Sequence, residues 1–337
     1  MILWGDLDAR ARGLETRLPT REGLARLAAS ADRAELDRAL HEILGLRETT
    51  PPRTPERAVR DAMAERIDLL RTWAGPDREG ALRVVFEDED RRSVRRLLRG
   101  AAQGAPAEAR LAGLVPTPTL PAATLEALAR ERSPERVAEG LSERDHPYGP
   151  PLVERIEAGP FDLFSLEVGI LRTFAERALE SAAADARLEA HVRETIDLAN
   201  AWAGLLSGSF TADIDADSVF VDGGVAIDRA TYGEAARIDD VERSREAIAR
   251  AFRSAGSSLW RPFADRVLDP SRLEPAVLAG RIDALRDLAL RDPLSPAPLL
   301  KYVLRLRALA LDLRRIVWGI ALGAPASIVG AEWVTDR

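Results

Sequence analysis

Apolar side chains recur every three or four residues along most of this chain, which is the spacing of a helix with one buried face. Val59, Met63, Ile67 and Leu70 form one such face. The same spacing continues through the segments around 163–179 and 306–320. The pattern predicts an all-α fold with at least about 60% helix and under about 5% strand, whereas the average globular protein is about a third helix.

One stretch departs from the helical period. Residues 219–221 read Val-Phe-Val, and residues 222–224 read Asp-Gly-Gly. β-branched and aromatic residues before a turn sequence are typical of a short strand. We therefore expect one short strand at residues 219–221.

Three apolar helical stretches each open with a short polar residue and close at a glycine. They occupy residues 93–104, 200–208 and 312–323, at nearly equal intervals. We call these stretches the seams and the helices that contain them the seam helices. A pattern that returns at a fixed long period is the signature of a structural repeat.

A second signal has the same period. Leu18, Leu120 and Ile227 each come shortly before the start of a predicted helix. Two signals with one period indicate that a single helical unit is written three times. The predicted repeat boundaries are residues 1–115, 116–225 and 226–337.

Composition narrows the possible functions. A chain of 337 residues is too long for one compact core and suits two or three units. Its net charge of −7 argues against nucleic acid as the main partner. Cysteine is absent, which excludes a disulfide framework and a cysteine nucleophile and fits a cytoplasmic protein. The chain has no Gly-x-x-x-x-Gly-Lys-Ser/Thr loop, so it does not bind ATP by that route.

The sequence offers little metal or catalytic chemistry. His41, His146 and His191 are the only histidines, and their spacing matches no helical zinc pair. Residues 213–217 alternate aspartates as a calcium loop does, but the glycine and the bidentate glutamate of such a loop are missing. We expect a solvated acidic loop there, with no metal, no cofactor and no catalytic residue in the chain.

The C-terminal run of residues 316–334 is nearly long enough to cross a membrane. Its only formal charge is Glu332. Pro325 and several glycines interrupt the run, and its first part continues an amphipathic helix. We therefore predict a buried helix followed by a short irregular tail.

The first seam helix has four arginines on its polar face. They are Arg92, Arg95, Arg96 and Arg99. Two interpretations are open: a stripe that faces a partner, or a solvated helix face paired with the acidic run at residues 87–90.

Several of these residues resemble the motifs of the C-type subunit of V-type ATP synthases and ATPases, which corresponds to the d-type subunit of eukaryotic vacuolar pumps. Residues 9–12 resemble its Ala-Arg-x-Arg opening. The seams resemble its repeated Asn-Leu-Arg helix that ends in glycine. Residues 146–152 look like its mid-chain Pro-Tyr turn, and residues 223–228 are similar to its Gly-Gly helix entry. The match follows the family order over nearly the whole chain, but Ser93 and Asp312 replace Asn, and Trp202 replaces Arg.

The resemblance implies three helical bundles arranged as a funnel about a pseudo-three-fold axis. It implies a non-catalytic rotor adapter, which connects D-type and F-type central-stalk subunits to the membrane proteolipid ring and transmits torque. Such a protein lies at the cytoplasmic face of the membrane and is peripheral. Carried onto this sequence, the motifs give Arg95, Asn200 and Arg314 as candidate partner-interface residues.

Two other functions stay open at this point. A helical-repeat scaffold with an unrelated partner needs only the repeat, and three units are enough for a solenoid. A hydrolase or transferase would have to use the acidic loop at residues 213–217.

Overall fold

The computed structural model describes residues 2–46, 54–207, 219–238, 240–330 and 333–334. Helices account for 74% of these residues, and none of them forms a strand. The predicted all-α fold is therefore confirmed. The 17 helices of the described residues are joined by short connections, together with one 3₁₀ turn at Pro270–Arg272.

The helices are numbered here in chain order. They are α1 (Gly5–Glu15), α2 (Arg21–Ala28), α3 (Arg33–Leu44), α4 (Pro55–Ala74), α5 (Pro76–Ala102), α6 (Ala107–Leu111), α7 (Ala122–Ala129), α8 (Pro134–Ser142) and α9 (Gly149–Glu157). The chain continues with α10 (Leu163–Ala182), α11 (Ala186–Ser207), α12 (Arg229–Ala236), α13 (Val241–Ser254), α14 (Trp260–Ala264), α15 (Leu273–Arg291), α16 (Ala297–Ala321) and α17 (Ala326–Val329).

Helices near the start of each predicted repeat begin at equivalent positions, and side chains of the same kind cap several of these starts. Helices α2, α7 and α12 have the same length, and each is followed after the same interval by the start of α3, α8 or α13. Thr20 and Asp228 accept backbone N–H groups at the starts of α2 and α12. Asp32 and Asp240 do the same for α3 and α13. Such caps satisfy donors that have no partner inside the helix, so the local sequence fixes where each helix begins.

The strand expected at residues 219–221 is wrong. Val219 is helical, and Phe220 and Val221 are irregular, although all three side chains are buried. Burial explains the apolar residues without a strand, because the Val221 backbone bonds to a side chain of α11. The sequence pattern indicates that this segment is buried, but it does not indicate which group forms hydrogen bonds with its backbone.

The chain divides into two compact units. One comprises Leu3–Val137 and Leu285–Arg337. At its centre α16 packs against α1, α2, α3 and α4. Leu306, Leu309 and Leu313 are fully buried there, which confirms that the last seam helix has a core face.

The other unit comprises Met1–Ile2 and Ala138–Ala284. Its long helix α11 packs against α10, α12 and α13. Aromatic side chains fill its core. They include Phe174, Tyr232, Phe252 and Phe263, each almost fully buried. The three-repeat boundaries drawn from the sequence stay a prediction beside this division.

Helices α5 and α16 end in the same way. Each is followed by a glycine in the left-handed region, Gly104 (φ 64°) or Gly323 (φ 69°). The N–H of the next residue reaches back to the carbonyl of Gly100 (2.9 Å) or Gly319 (2.8 Å), as in a Schellman motif. Both connections then read Gly-Ala-Pro-Ala and enter a short helix, α6 or α17.

The short helices fold back closely on the seam helices that precede them. A Cβ added at Gly100 would lie 2.5 Å from Cγ of Arg110, and one added at Gly319 would lie 2.5 Å from Cγ2 of Val329. The same close contact occurs at the matching place in the first and third seams, so the likeness extends from sequence to packing. The corresponding segment of the second seam lies outside the described residues.

Candidate functional site

The seam helices α5, α11 and α16 carry the three candidate interface residues. Arg95 and Arg314 are half-buried, whereas Asn200 is completely buried. Whether a partner touches any of them stays a prediction. Their contacts within the chain are described first, because these contacts determine which groups remain available.

Asn200 holds the segment that follows its own helix. Its Nδ2 donates to the carbonyl of Val221 at 2.8 Å, and its Oδ1 accepts the N–H of the same residue at 3.1 Å. One turn earlier, Asp197 accepts the N–H groups of Val225, Ala226 and Ile227 at 2.8–3.0 Å. Two side chains of α11 therefore satisfy the backbone of a buried segment that has no secondary structure.

Asp312 likewise binds the backbone of a later segment in the third seam. Its carboxylate accepts the N–H of Val334 at 3.0 Å, and both residues are buried. Asn200 and Asp312 occupy the same place in their seams and hold segments at nearly the same distance along the chain. The opening polar residue of these two seams is thus an anchor for the chain that follows.

Arg314 lies over the segment that follows the first seam. Gly113 has φ 74°, and a Cβ added there would lie 3.1 Å from Cδ of Arg314. The glycine therefore leaves room for the arginine stem. The half-buried position leaves part of the Arg314 side chain accessible to a partner.

A buried charge cluster joins α5 to α16. Arg307 donates through Nε to Glu89 and through Nη2 to Asp88, both at 2.6 Å. Arg91 donates to the other oxygen of Asp88, also at 2.6 Å. Burial alone lowers the pKa of Arg307, but the two adjacent carboxylates outweigh this effect and raise its pKa above the ordinary value.

This cluster changes the interpretation of the acidic run. Glu87, Asp88, Glu89 and Asp90 are all buried, so the run is not a solvated face. Arg307 pairs with Asp88 and Glu89, whereas Asp90 accepts the hydroxyl groups of Thr117 and Thr119. No sequence signal indicated Arg307 as a partner, because it lies more than 200 residues away along the chain. Buried ion pairs add little net stability, but removal of one member leaves an uncompensated charge in the interior.

The arginine stripe of the first seam has mixed contacts. Arg92 lies 3.5 Å from Asp88, and Arg96 donates to the carbonyl of Ala109 at 3.2 Å. Arg99 is exposed. The stripe therefore contributes partly to the cluster and to the fold of α6, while Arg95 and Arg99 present accessible surface.

Comparison with known protein families identifies the family of this chain. The sequence model of the ATP synthase (C/AC39) subunit family matches residues 7–331. The chain belongs to the ATP synthase (C/AC39) subunit family. A search of curated proteins finds no match.

In this ATP synthase (C/AC39) subunit, the described ranges hold no cluster of three metal-ligating side chains. The acidic loop at residues 213–217 lies outside those ranges. The helices within them include none with the length and apolarity required to cross a membrane. Helix α16 ends at Ala321, so the apolar C-terminal run begins as a helix and is broken as predicted. The tail is not wholly irregular, because the short helix α17 follows Pro325.

Proposed function

We propose that this ATP synthase (C/AC39) subunit is a non-catalytic rotor adapter. It connects D-type and F-type central-stalk subunits to the membrane proteolipid ring at the cytoplasmic face, and it transmits the torque that couples ATP turnover to proton or sodium translocation. The observation that carries the proposal is the family match over residues 7–331, which spans nearly the whole chain.

The order of helix contacts supports a three-fold arrangement. Seam helix α5 packs against α7, the first helix of the second predicted repeat. Seam helix α11 packs against α12 and α13, and seam helix α16 packs against α2 and α3. Each seam helix therefore contacts the helix among α2, α7 and α12 that belongs to the next repeat in cyclic order. This cyclic order is what a funnel of three bundles about a pseudo-three-fold axis requires, with repeats at 1–115, 116–225 and 226–337.

A torque-transmitting part must resist deformation. Close-packed interiors transmit strain because their side chains have little free volume. The anchors at Asn200 and Asp312, together with the Arg307 cluster, add directional bonds to this packing. They fix segments that would otherwise be free to shift under load.

We assign the stalk-facing role to Arg95 and Arg314 and an anchoring role to Asn200. A guanidinium presents a planar fork that suits carboxylates and helix-end carbonyls of an inserted shaft. Arg314→Ala is expected to weaken stalk binding by about 1–3 kcal/mol and to leave the melting temperature nearly unchanged. Arg315→Ala is the matched control, since it removes the adjacent half-buried arginine on the same helix. A large loss of stability with unchanged stalk affinity would make Arg314 a structural residue.

The decisive experiment is reconstitution with purified partners. The chain is mixed with D-type and F-type stalk subunits and, separately, with the detergent-solubilised proteolipid ring. Recovery of both complexes supports the adapter, whereas recovery of neither refutes it. The alternative, a helical-repeat scaffold unrelated to rotary ATPases, predicts no recovery and an elongated particle in solution scattering.

A further inference from the structure

An arginine–tryptophan surface lies at the corner between α13 and α14. The Cζ atom of Arg253 lies 3.9 Å from the ring centroid of Trp260, and that of Arg261 lies 5.9 Å from it. Both arginines are exposed and the indole is half-buried. We call these three residues the Arg-Trp-Arg surface. A guanidinium stacked on an indole keeps its N–H groups free to bind an anion in its own plane.

The corner beneath this surface is tightly fixed. Gly256 has φ 72°, and the N–H of Ser257 reaches back to the carbonyl of Phe252 at 2.9 Å, which closes the end of α13. Phe252 stacks on Phe263 with ring centroids 5.4 Å apart and an angle of 17°. Both rings are almost fully buried, so they hold the end of α13 against α14.

Arg245 fixes the chain that leaves the corner. It is almost fully buried, and it donates to the carbonyls of Pro262, Asp265 and Leu268 as well as to Glu242. One side chain thus holds the segment after Trp260 at three points. The Arg-Trp-Arg surface is therefore organised before any partner binds, which reduces the entropic cost of binding.

The charges of this surface are not neutralised within the described part of the chain. Nearby Arg250 pairs with Glu234 at 3.0 Å, and Arg266 pairs with Glu246. Arg253 and Arg261 form no ion pair with any described carboxylate, although the protein as a whole carries a net charge of −7. Two guanidiniums on one indole that pair with no carboxylate of the described residues indicate a site for a negatively charged group.

We propose that Arg253, Trp260 and Arg261 form a docking surface for an acidic helix of another protein. Because both guanidiniums adjoin one ring, their Cζ atoms lie at most about 10 Å apart. Glutamates four residues apart on a helix have Cβ atoms about 5–6 Å apart, and their flexible side chains can diverge to reach both forks. The indole then covers the apolar stems between the two carboxylates. The Arg-Trp-Arg surface includes neither Arg95 nor Arg314, so the proposal does not rest on the rotor-adapter role.

The test uses the full chain and two helical peptides. One peptide carries two glutamates four residues apart in an alanine and glutamine background, and its control carries glutamines at both positions. Binding is followed through the Trp260 indole N–H resonance, which is assigned with Trp260→Phe. We expect the glutamate peptide to bind at least about tenfold more tightly than its control, with affinity that falls as salt rises.

Two double variants decide the role of the arginines. Arg253→Ala with Arg261→Ala is expected to lower peptide affinity at least about tenfold. Arg250→Ala with Arg266→Ala removes the same charge from the same region but breaks existing ion pairs, and it is expected to change affinity less than about twofold. Equal loss in both double variants would overturn the proposal, because it would mean that net charge alone attracts the peptide. Tighter binding of a single-stranded oligonucleotide, which also stacks on aromatic rings, would overturn it in favour of nucleic acid.

Discussion

We predict that Asp8 makes the stability of this protein depend on pH between about pH 4 and pH 7. The carboxyl group lies in the first half of α1 and is only 2% exposed. Neither oxygen has a hydrogen-bond partner within the described residues. Burial raises the pKa of Asp8 to about 7, with the Asp6 charge adding to the rise, while the charges of Arg12 and Arg78 offset part of it.

The sign and size follow from proton binding in the two states. Below about pH 4 Asp8 carries the proton in both the folded and the unfolded chain, so it does not make the free energy of unfolding depend on pH. Between about pH 4 and pH 7 the folded chain keeps the proton that the unfolded chain loses, so stability falls as pH rises. The pKa of Asp8 differs between the two states by about three units, and each unit corresponds to about 1.4 kcal/mol. The free energy of unfolding should therefore fall by at most about 4 kcal/mol between pH 4 and pH 8.

Asp8→Asn removes this titration while it keeps the shape of the side chain. Urea unfolding of both proteins from pH 4 to pH 8 should show the variant less stable than or equal to the original at pH 4 and more stable at pH 8. Asp287→Asn, which removes an exposed carboxylate from the same compact unit, controls for the change in net charge. A stability difference between the original and Asp8→Asn that does not change with pH would refute the reasoning, because Asp8 would then be ionised or solvated throughout.

Three further substitutions test the anchors and the close contacts. Arg307→Ala leaves Glu89 buried without its cation and leaves Asp88 with Arg91 and Arg92, so it should lower the free energy of unfolding by about 3–5 kcal/mol in denaturant titrations. Asn200→Ala removes both bonds to the Val221 backbone and should cost about 1–3 kcal/mol, with faster hydrogen exchange at the Val221 amide before any global unfolding. Gly149→Ala would place a Cβ 2.4 Å from the backbone nitrogen of Ser142, so it should lower the melting temperature more than an alanine at an open glycine.

The sequence predicted most of the helices because their signals are local. The spacing of Val59, Met63, Ile67 and Leu70 places them on one buried face, and all four are buried in α4. Polar caps and left-handed glycines likewise mark helix ends through bonds to residues only three to five positions away. The sequence predicts these features correctly because they do not depend on residues that are distant along the chain.

The failures involve partners that are distant in sequence. Residues 219–221 looked like a strand because they are apolar and β-branched, but Asn200 satisfies the Val221 backbone in place of a neighbouring strand. For the acidic run at residues 87–90, one of the two open interpretations paired it with the arginines of its own helix. Asp88 and Glu89 pair in addition with Arg307 of the last seam helix, and no periodicity within either helix records that pairing.

The departures from the family's Asn-Leu-Arg motif follow from these contacts. Asp312 can replace Asn because the shared requirement is an oxygen that accepts a backbone N–H, although a carboxylate cannot also donate to the carbonyl as Asn200 does.

In the second seam Trp202 stands where the other two seams have arginine, and its ring packs on Phe263 with the ring centroids 5.7 Å apart. The second seam thus carries a packed aromatic ring where the other two seams carry a guanidinium. Trp202→Arg should lower the free energy of unfolding of the compact unit that contains α11, because the substitution withdraws this ring from Phe263. An unchanged free energy of unfolding in urea titrations would show that the ring contributes nothing to the packing of that unit.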